Sequence, residues 1–343
     1  MNPQFWNLFL ACGLDAPRAN RLLEELRETS LDPIAFLNSW PGLTEGNRKA
    51  MKHVDGRTLE AALAQGAWVW DPPDYRVEDP RFFAPVLFGI GQRPKPGALR
   101  VGIVGTRSAS PYGLACAKKF GEGLAAMGIE VVSGGALGID TASHQGALAV
   151  DGVTHVVLPS GIDVTYPPAN KSLFERIRVR GSLLSQNATG SPAIAHRIPE
   201  RNPTIAALSD VLVVIEAPEK SGSLQTALAA AEQNKTVLVV PGPVTLDGFR
   251  GSHRLIRDGA TLVTHPFHVA EELGIDPVAP MESVQPANEL QAAILAALDA
   301  VPVATDKIAE RVGMDTATIA AELTEMELEG LVMRAGIGYS LKP

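Results

Sequence analysis

The stretch that most constrains the fold of this chain is residues 101–113, which read VGIVGTRSASPYG. It opens with a short apolar run, as in a strand that is buried on both faces of a sheet. Two glycines then permit a tight turn, and Ser110 followed by Pro111 is a common helix start. A strand, a glycine turn and a helix in this order predict a crossover whose first helix amides favour an anion, with Arg107 as a fixed charge in the turn.

The residues that follow continue this alternation of strands and helices. Apolar runs predict strands at 131–132, 155–159, 182–185, 211–216 and 236–240, with an edge strand at 261–264. Helical segments lie between most of them, which is typical of a mostly parallel sheet covered on both faces. We therefore expect an α/β, Rossmann-like core, whose ligands bind in the crevice at the carboxyl ends of the strands.

Helical segments flank this core on both sides. Residues 1–75 read as short helices, which predicts a small domain of the SAM or helix-hairpin-helix type, followed by an Asp-Pro-Pro-Asp linker at 71–74. After a proline-rich joint at 277–286, three helices and a hairpin follow the winged-helix plan. We therefore expect three domains, at 1–75, 76–276 and 286–343.

Charge is distributed unevenly along the chain. The formal net charge of −8 argues against a general binder of polyanions. Residues 276–343 carry 4 basic and 11 acidic side chains, and the third helix predicted there contains glutamates but no lysine or arginine. Phosphates should repel such a helix, so an anionic polymer is expected to bind the central domain.

Other features narrow the class of protein. Two cysteines, Cys12 and Cys116, provide neither a disulfide framework nor a metal cluster, and no run of eighteen apolar residues is present. The first residues lack the basic leader of a signal peptide. We expect a cytoplasmic protein with no membrane span, no metal and no cofactor.

Four loops are expected to meet at one rim of the predicted sheet, namely 105–108, 133–140, 196–202 and 221–226. Three are rich in Gly, Ser or Thr, whose amides and hydroxyls form anion-binding nests, and two contain arginine, which contacts phosphate through paired N–H groups. Arg197 and Lys171 are further candidate cations near this rim.

Candidates for catalysis are few. His144 follows Asp140 by one helical turn, so the two could form an oriented base, although a structural contact is the commoner role. Asp140 is expected to cap a helix that ends near Val150. The loop at 221–226 resembles the glycine-rich loop of nucleotide-cleaving Rossmann enzymes, but alanines follow where those enzymes place a glutamate. A nucleotide-binding hydrolase remains the alternative function, and a protein-binding scaffold is a third.

Six segments resemble, in order, the motifs of the DNA-processing protein A (DprA/Smf) family. They are VGIVGTRSASPYG, SGGALGIDTASHQGAL, YPPANKSLFERI, PERN followed by TIAALS, IEAPEKSGSLQTA, and VPGPV, which together span about residues 80–270. The resemblance implies a protein of natural transformation that is not an enzyme. Such a protein binds and protects incoming single-stranded DNA, loads the RecA recombinase onto it and works as a homodimer.

The resemblance also implies which residues bind DNA. Together with the candidate rim cations they are Gly105, Thr106, Arg107, Ser108, Ser133, Gly134, Lys171, Arg197, Arg201, Asn202, Ser221, Gly222, Ser223 and Thr226. The chain departs from the family pattern where SGGA replaces SGLA, where Gln186 replaces glutamate, and where Pro203 replaces an arginine or lysine. Because the last change removes a cation, we expect that phosphate contact either to be absent or to be supplied by Arg197 or Lys171.

Overall fold

A computed structural model of the chain describes residues 2–70, 86–275, 288–298, 302–328, 331–335 and 338–341. The chain divides into two compact units, Met1–Pro277 and Val278–Pro343. The linker predicted at 71–74 lies outside the described residues. So do the whole of the joint predicted at 277–286 and the domain boundaries predicted near 75, 276 and 286.

The first unit combines short N-terminal helices with a large sheet. Its described helices are α1 (Pro3–Ala11), α2 (Ala16–Arg27), α3 (Pro33–Ser39), α4 (Glu45–Lys52), α5 (Gly56–Ala64), α6 (Pro111–Ala126), α7 (Ile139–Ala149), α8 (Lys171–Arg180), α9 (Arg197–Glu200), α10 (Asn202–Leu208), α11 (Gly222–Glu232), α12 (Arg250–Arg257) and α13 (Pro266–Glu272). Its described strands are β1 (Ala67–Trp70), β2 (Leu87–Gly91), β3 (Arg100–Val104), β4 (Glu130–Ser133), β5 (Thr154–Leu158), β6 (Ser182–Ser185), β7 (Val211–Val214), β8 (Thr236–Val239) and β9 (Thr261–Leu262).

These strands form one sheet in the order β1-β2-β6-β5-β4-β3-β7-β8-β9. All neighbours from β6 to β9 are parallel, whereas β1 and β2 extend one edge in antiparallel fashion. The chain runs outward from β3 to β6 and then returns to the other side of β3 as β7. This reversal between β3 and β7 is a topological switch point, where α/β sheets bind ligands.

The central strands are buried on both faces, as their apolar runs predicted. Val101 and Ile103 of β3 pack with α6 and α7 on one face, and Val104 packs with α10 and α11 on the other. Gly102 is required between them because a Cβ there would lie 2.6 Å from Leu212 Cδ1. The mostly parallel α/β core predicted from the sequence is therefore confirmed.

The N-terminal helices share a hydrophobic core with the sheet. Phe5 and Trp6 of α1 belong to the same buried cluster as Phe88 of β2. The buried Asn7 amide nitrogen donates to Thr189 Oγ1 at 2.9 Å, and the Thr189 amide donates back to Asn7 Oδ1 at 2.8 Å. Reciprocal buried hydrogen bonds of this kind fix the position of α1 on the sheet unit.

The second unit consists of α14 (Glu289–Ala297), β10 (Val303–Ala304), α15 (Thr305–Val312), α16 (Thr316–Leu328), β11 (Val332–Ala335) and β12 (Gly338–Leu341). Its three strands pair antiparallel in the order β10-β12-β11. This arrangement confirms the winged-helix plan, including a third helix with glutamates and no lysine or arginine. Among the described helices of both units, none has the length and apolarity that crossing a membrane requires.

Candidate functional site

A cavity of about 250 Å³ lies at the carboxyl ends of β3, β4 and β7, beside the switch point. Four segments of chain surround it, as expected for a site built from loops at one rim of the sheet. Its lining residues are Val104, Gly105, Thr106, Arg107, Ala136, Asp140, Ile198, Arg201, Asn202, Ile205, Pro218, Lys220, Ser221, Gly222, Ser223 and Thr226. We call this cavity the rim pocket.

The loop after β3 forms one wall of the rim pocket. The Thr106 amide donates to the Glu216 carbonyl at 2.7 Å, and the Thr106 carbonyl accepts from the Ile139 amide at 3.2 Å. Gly105 allows close packing here, since a Cβ would lie 2.5 Å from Ile139 Cγ1. The wall is thus fixed on both sides, and it carries the exposed side chain of Arg107.

The start of α6 is occupied by a carboxylate of the protein itself. Buried Glu216 accepts from the Ser110 amide at 3.0 Å and from Ser110 Oγ at 2.7 Å, while Ser110 Oγ accepts from the Gly113 amide. A Cβ on Gly113 would lie 2.0 Å from Glu216 Oε2. The expectation that this helix start receives an external anion is wrong, because Glu216 already complements its amides.

The loop after β4 contributes backbone and a buried acid. Gly138, at φ 81°, occupies the position before α7, so the expectation that Asp140 caps this helix is wrong. Asp140 lies in the first turn and accepts from the Ala136 amide at 3.2 Å. Burial raises the pKa of the Asp140 carboxyl, with Arg201 opposing that shift. Ser133 lies beneath the pocket, donating its hydroxyl to the Ile103 carbonyl at 2.5 Å.

His144 does not pair with Asp140. Its Nδ1 lies 2.7 Å from Thr154 Oγ1, and that hydroxyl donates to the Val131 carbonyl at 2.9 Å. Thr154 must therefore accept, which places the imidazole proton on Nδ1. Burial lowers the pKa of His144 to about 3, so the ring is neutral. It is a structural group behind the pocket, and the suggested oriented base is wrong.

Arg201 lies at the base of the pocket and is almost fully buried. Its side chain is 6% exposed, one guanidinium nitrogen donates to the Val157 carbonyl, and another lies 4.0 Å from Asp140 Oδ2. Desolvation lowers its pKa to about 10, with Asp140 opposing the shift, so the guanidinium stays charged at neutral pH. The neighbouring Asn202 amide nitrogen donates to the Gly222 carbonyl at 3.3 Å, joining two loops of the pocket.

The opposite wall is the start of α11. Ser221 caps this helix, accepting from the Ser223 amide at 3.3 Å, and the two serine hydroxyls lie 2.6 Å apart. Lys220, exposed, stands directly before them and lines the pocket. Sequence reasoning did not select Lys220, although a cation beside a Gly-Ser helix start is the signal that could have found it.

The structure brings together nine of the fourteen DNA-binding residues predicted from the sequence. Those lining the rim pocket are Gly105, Thr106, Arg107, Arg201, Asn202, Ser221, Gly222, Ser223 and Thr226. The five that do not line it are Ser108, Ser133, Gly134, Lys171 and Arg197.

Both cations expected to replace the family's missing basic residue are among those five. Lys171 is exposed at the start of α8, and a guanidinium nitrogen of Arg197 donates to the Pro192 carbonyl at 2.9 Å. Pro203, in place of the usual cation, belongs to the first turn of α10. The described part of the chain contains no group of three or more His, Cys, Asp or Glu placed to hold a metal ion.

Comparison with known protein families shows which family the chain belongs to. Residues 76–274 match the model of the DNA recombination-mediator protein A family, and residues 269–336 match the DprA winged helix domain. The chain belongs to this family. Protein Smf from Escherichia coli is 32% identical over 336 residues, which cover 91% of this chain and 88% of that protein. DNA processing protein DprA from Streptococcus pneumoniae is 41% identical over 166 residues, covering 48% and 58% of the respective chains.

Solved structures of the recombination-mediator family share the fold. The X-ray structure of the Streptococcus pneumoniae protein superposes with a TM-score of 0.66 at 29% identity, covering 79% of this chain and 99% of that one. DNA processing protein A from Helicobacter pylori, described with its single-stranded DNA binding mode, superposes with a TM-score of 0.54 at 28% identity. That match covers 61% of this chain and 96% of the other.

Proposed function

We propose that this protein binds single-stranded DNA in the rim pocket, without preference for sequence. The proposal rests on one observation, which is that Arg107, Lys220 and the serine-rich start of α11 surround the same cavity at the switch point. Amides, hydroxyls and cations in such a setting bind phosphate oxygens. The single-stranded DNA binding mode described for the Helicobacter pylori relative supports the same reading.

The size of the rim pocket and the charge of the winged-helix unit favour binding of single strands over duplex. A cavity of about 250 Å³ has room for one unit of a sugar–phosphate backbone but not for a base-paired helix. The third helix of the winged-helix unit, which would enter a DNA groove, is acidic. Contacts to the backbone carry no sequence information, so binding should tolerate any sequence.

We propose a wider role on the strength of the family. The protein would protect incoming single-stranded DNA during natural transformation and load the RecA recombinase onto it, acting as a homodimer in the cytoplasm. The family's description as a recombination mediator supports this role.

Within this proposal the protein binds DNA but does not cleave it. Hydrolysis in the rim pocket would need a carboxylate free to activate water. Asp140 lines the pocket, but it accepts from the Ala136 amide and faces the Arg201 guanidinium. A nucleotide-binding hydrolase would instead release product from nucleotides or oligonucleotides, which chromatography of overnight incubations would detect.

The experiment that tests the proposed function is a fluorescence anisotropy titration. A labelled single strand and the duplex of the same sequence are titrated with the full chain at several salt concentrations. We expect the single strand to bind more tightly at every concentration, and three unrelated sequences to bind alike. Equal affinity for both forms at moderate salt would contradict the proposal and point to the winged-helix unit as the reader of DNA.

A further inference from the structure

The two arginines of the rim pocket differ in what they can offer a ligand. The side chain of Arg107 is exposed and makes no hydrogen bond or ion pair with any other residue that the structure describes. The side chain of Arg201 is 6% exposed, and one of its guanidinium nitrogens already donates to the Val157 carbonyl. The two arginines therefore do not present equally free donors to a phosphate.

Arg201 contacts the ends of two strands and the start of a helix. One guanidinium nitrogen donates to the Val157 carbonyl at the end of β5, and another faces Asp140 at the start of α7. The guanidinium lies flat against Gly134, just after β4, where a Cβ would come within 1.9 Å of it. Arg201 is thus packed between the backbone and a buried carboxylate, and its Nε is also buried, with no partner among the described residues.

The contacts of Arg201 fix the segment at 198–202, which forms one wall of the rim pocket. Ile198 and Asn202, on either side of Arg201, line the cavity, and Asn202 reaches Gly222 on the opposite wall. Fixing the backbone of Arg201 therefore fixes the distance between two walls of the pocket.

Lys220 is the second exposed cation of the pocket. It lines the cavity at the start of α11, across from the loop that carries Arg107, and has no hydrogen bond or ion pair within the described part of the chain. Neither Lys171 nor Arg197 lines the pocket. Lys220 is thus placed to supply the charge that Pro203 removes from the family's motif.

We propose that Arg201 is a positioning residue that does not contact phosphate, and that Lys220 and Arg107 are the two cations that neutralise phosphates in the pocket. This inference rests on the proposed function, because it assigns roles within the same DNA site. It changes the assignment implied by the family resemblance, which treats Arg201 as a DNA ligand and does not include Lys220.

The slope of affinity against salt separates the two roles. Each cation that neutralises a phosphate of a single strand contributes about 0.7 to the slope of log K against log salt. We expect Arg107→Gln and Lys220→Gln each to reduce the slope by about 0.7, and Arg201→Gln to weaken binding on the order of tenfold with the slope unchanged. Lys235→Gln is the control, since Lys235 lies beyond the other end of α11, a helix about 16 Å long, and does not line the pocket.

Stoichiometric titration completes the test by giving the fraction of each preparation that can bind. If Arg201 only stabilised the fold, its loss would lower that fraction and leave the Kd of the remainder unchanged, which would overturn the positioning role. If Arg201→Gln does not fold, the double variant Asp140→Asn/Arg201→Gln removes both buried charges and is judged by the same criteria.

Two further results would overturn the inference while leaving the proposed function intact. One is a slope reduced by Arg201→Gln as much as by Arg107→Gln. The other is a Lys220→Gln variant that behaves like Lys235→Gln. Failure of the wild-type chain to bind the oligonucleotide at any salt concentration would instead contradict the proposed function itself.

Discussion

At the scale of single residues, binding of DNA depends on the exposed cations of the rim pocket. Arg107 extends from a loop fixed by hydrogen bonds to β7 and α7, so its charge is exposed on a rigid support. A guanidinium presented in this way binds phosphate without a large cost in loop ordering.

Replacing Arg107 with alanine should therefore weaken binding of single-stranded DNA by about 1–3 kcal/mol, the scale of a lost hydrogen bond to a charged group. The measurement is an anisotropy titration, with Arg176→Ala on α8 as a control that removes an exposed arginine outside the pocket. Unchanged affinity in a variant with a native circular dichroism spectrum would contradict the role given to Arg107.

His144 gives a prediction about acid stability. Its pKa is about 3 in the folded chain and about 6.5 in the unfolded one, so the unfolded state binds the extra proton between these values. Stability should then fall as the pH drops from about 6.5 towards 3, by up to about 1.4 kcal/mol per pH unit from this residue.

Urea unfolding of the isolated protein at pH 7 and pH 5 measures this loss. His144→Asn keeps a donor for Thr154 but does not titrate, so the variant should lose less stability between the two pH values than the wild type. An identical loss in both proteins would show that His144 is not the buried group responsible.

Residue-level roles were predicted only where they depend on local sequence. Ser110 caps α6 as its neighbour Pro111 suggested, because capping involves residues three apart. The burial of Arg201 depends on Gly134 and Val157, which are distant in sequence, and no pattern of spacing reveals such a contact. Lys220 was missed because a lone lysine in a loop is most often a solvated one.

At the scale of elements, the start of α6 explains why the rim pocket does not lie at the first amides of that helix. In a phosphate-binding crossover the helix amides are open, but here Glu216, two residues after β7, accepts from Ser110. The ligand site is thereby displaced to the space between β3, β4 and β7.

Glu216→Ala should destabilise the first unit by about 1–3 kcal/mol, because the amide and the hydroxyl of part-buried Ser110 lose their acceptor. The measurement is the urea midpoint of unfolding, and Glu219→Ala, an exposed acid three residues away, is the matched control. If both variants unfold at the wild-type midpoint, the helix start does not depend on Glu216.

The elements with strong periodicity were predicted and the others were not. The parallel strands and α15 were located from their apolar patterns, because buried strands and amphipathic helices repeat with fixed periods. The sequence did not indicate α5 or the antiparallel pair β1 and β2, which are stabilised by packing on the N-terminal helices and on β6. Tertiary contacts of that kind leave little trace in local sequence.

At the scale of the whole molecule, charge and contacts divide the chain in the same place. The chain divides into its two compact units between residues 277 and 278, and residues 276–343 carry 4 basic against 11 acidic side chains. The negative side chains of this segment repel the phosphates of DNA over a Debye length, which is about 8–10 Å in ordinary buffers. The second unit should therefore contribute nothing favourable to binding of DNA.

Ending the chain at Pro280 should leave affinity for a single strand unchanged or slightly raised, and added salt should shrink any increase. Titration of a fluorescent oligonucleotide at two salt concentrations with both proteins measures this. A clear loss of affinity in the folded, truncated chain would mean that the second unit contacts DNA or holds the assembly that does.

If single-stranded DNA lies in the rim pocket, photo-crosslinking will attach it to the segments that line that pocket. The full chain is irradiated with a bromodeoxyuridine-containing single strand, and mass spectrometry identifies the crosslinked peptides. We predict crosslinks in the segments that line the pocket, at 104–107, 136–140, 198–205 and 218–226. Crosslinks concentrated instead in the N-terminal helices or in residues 288–341 would contradict the account.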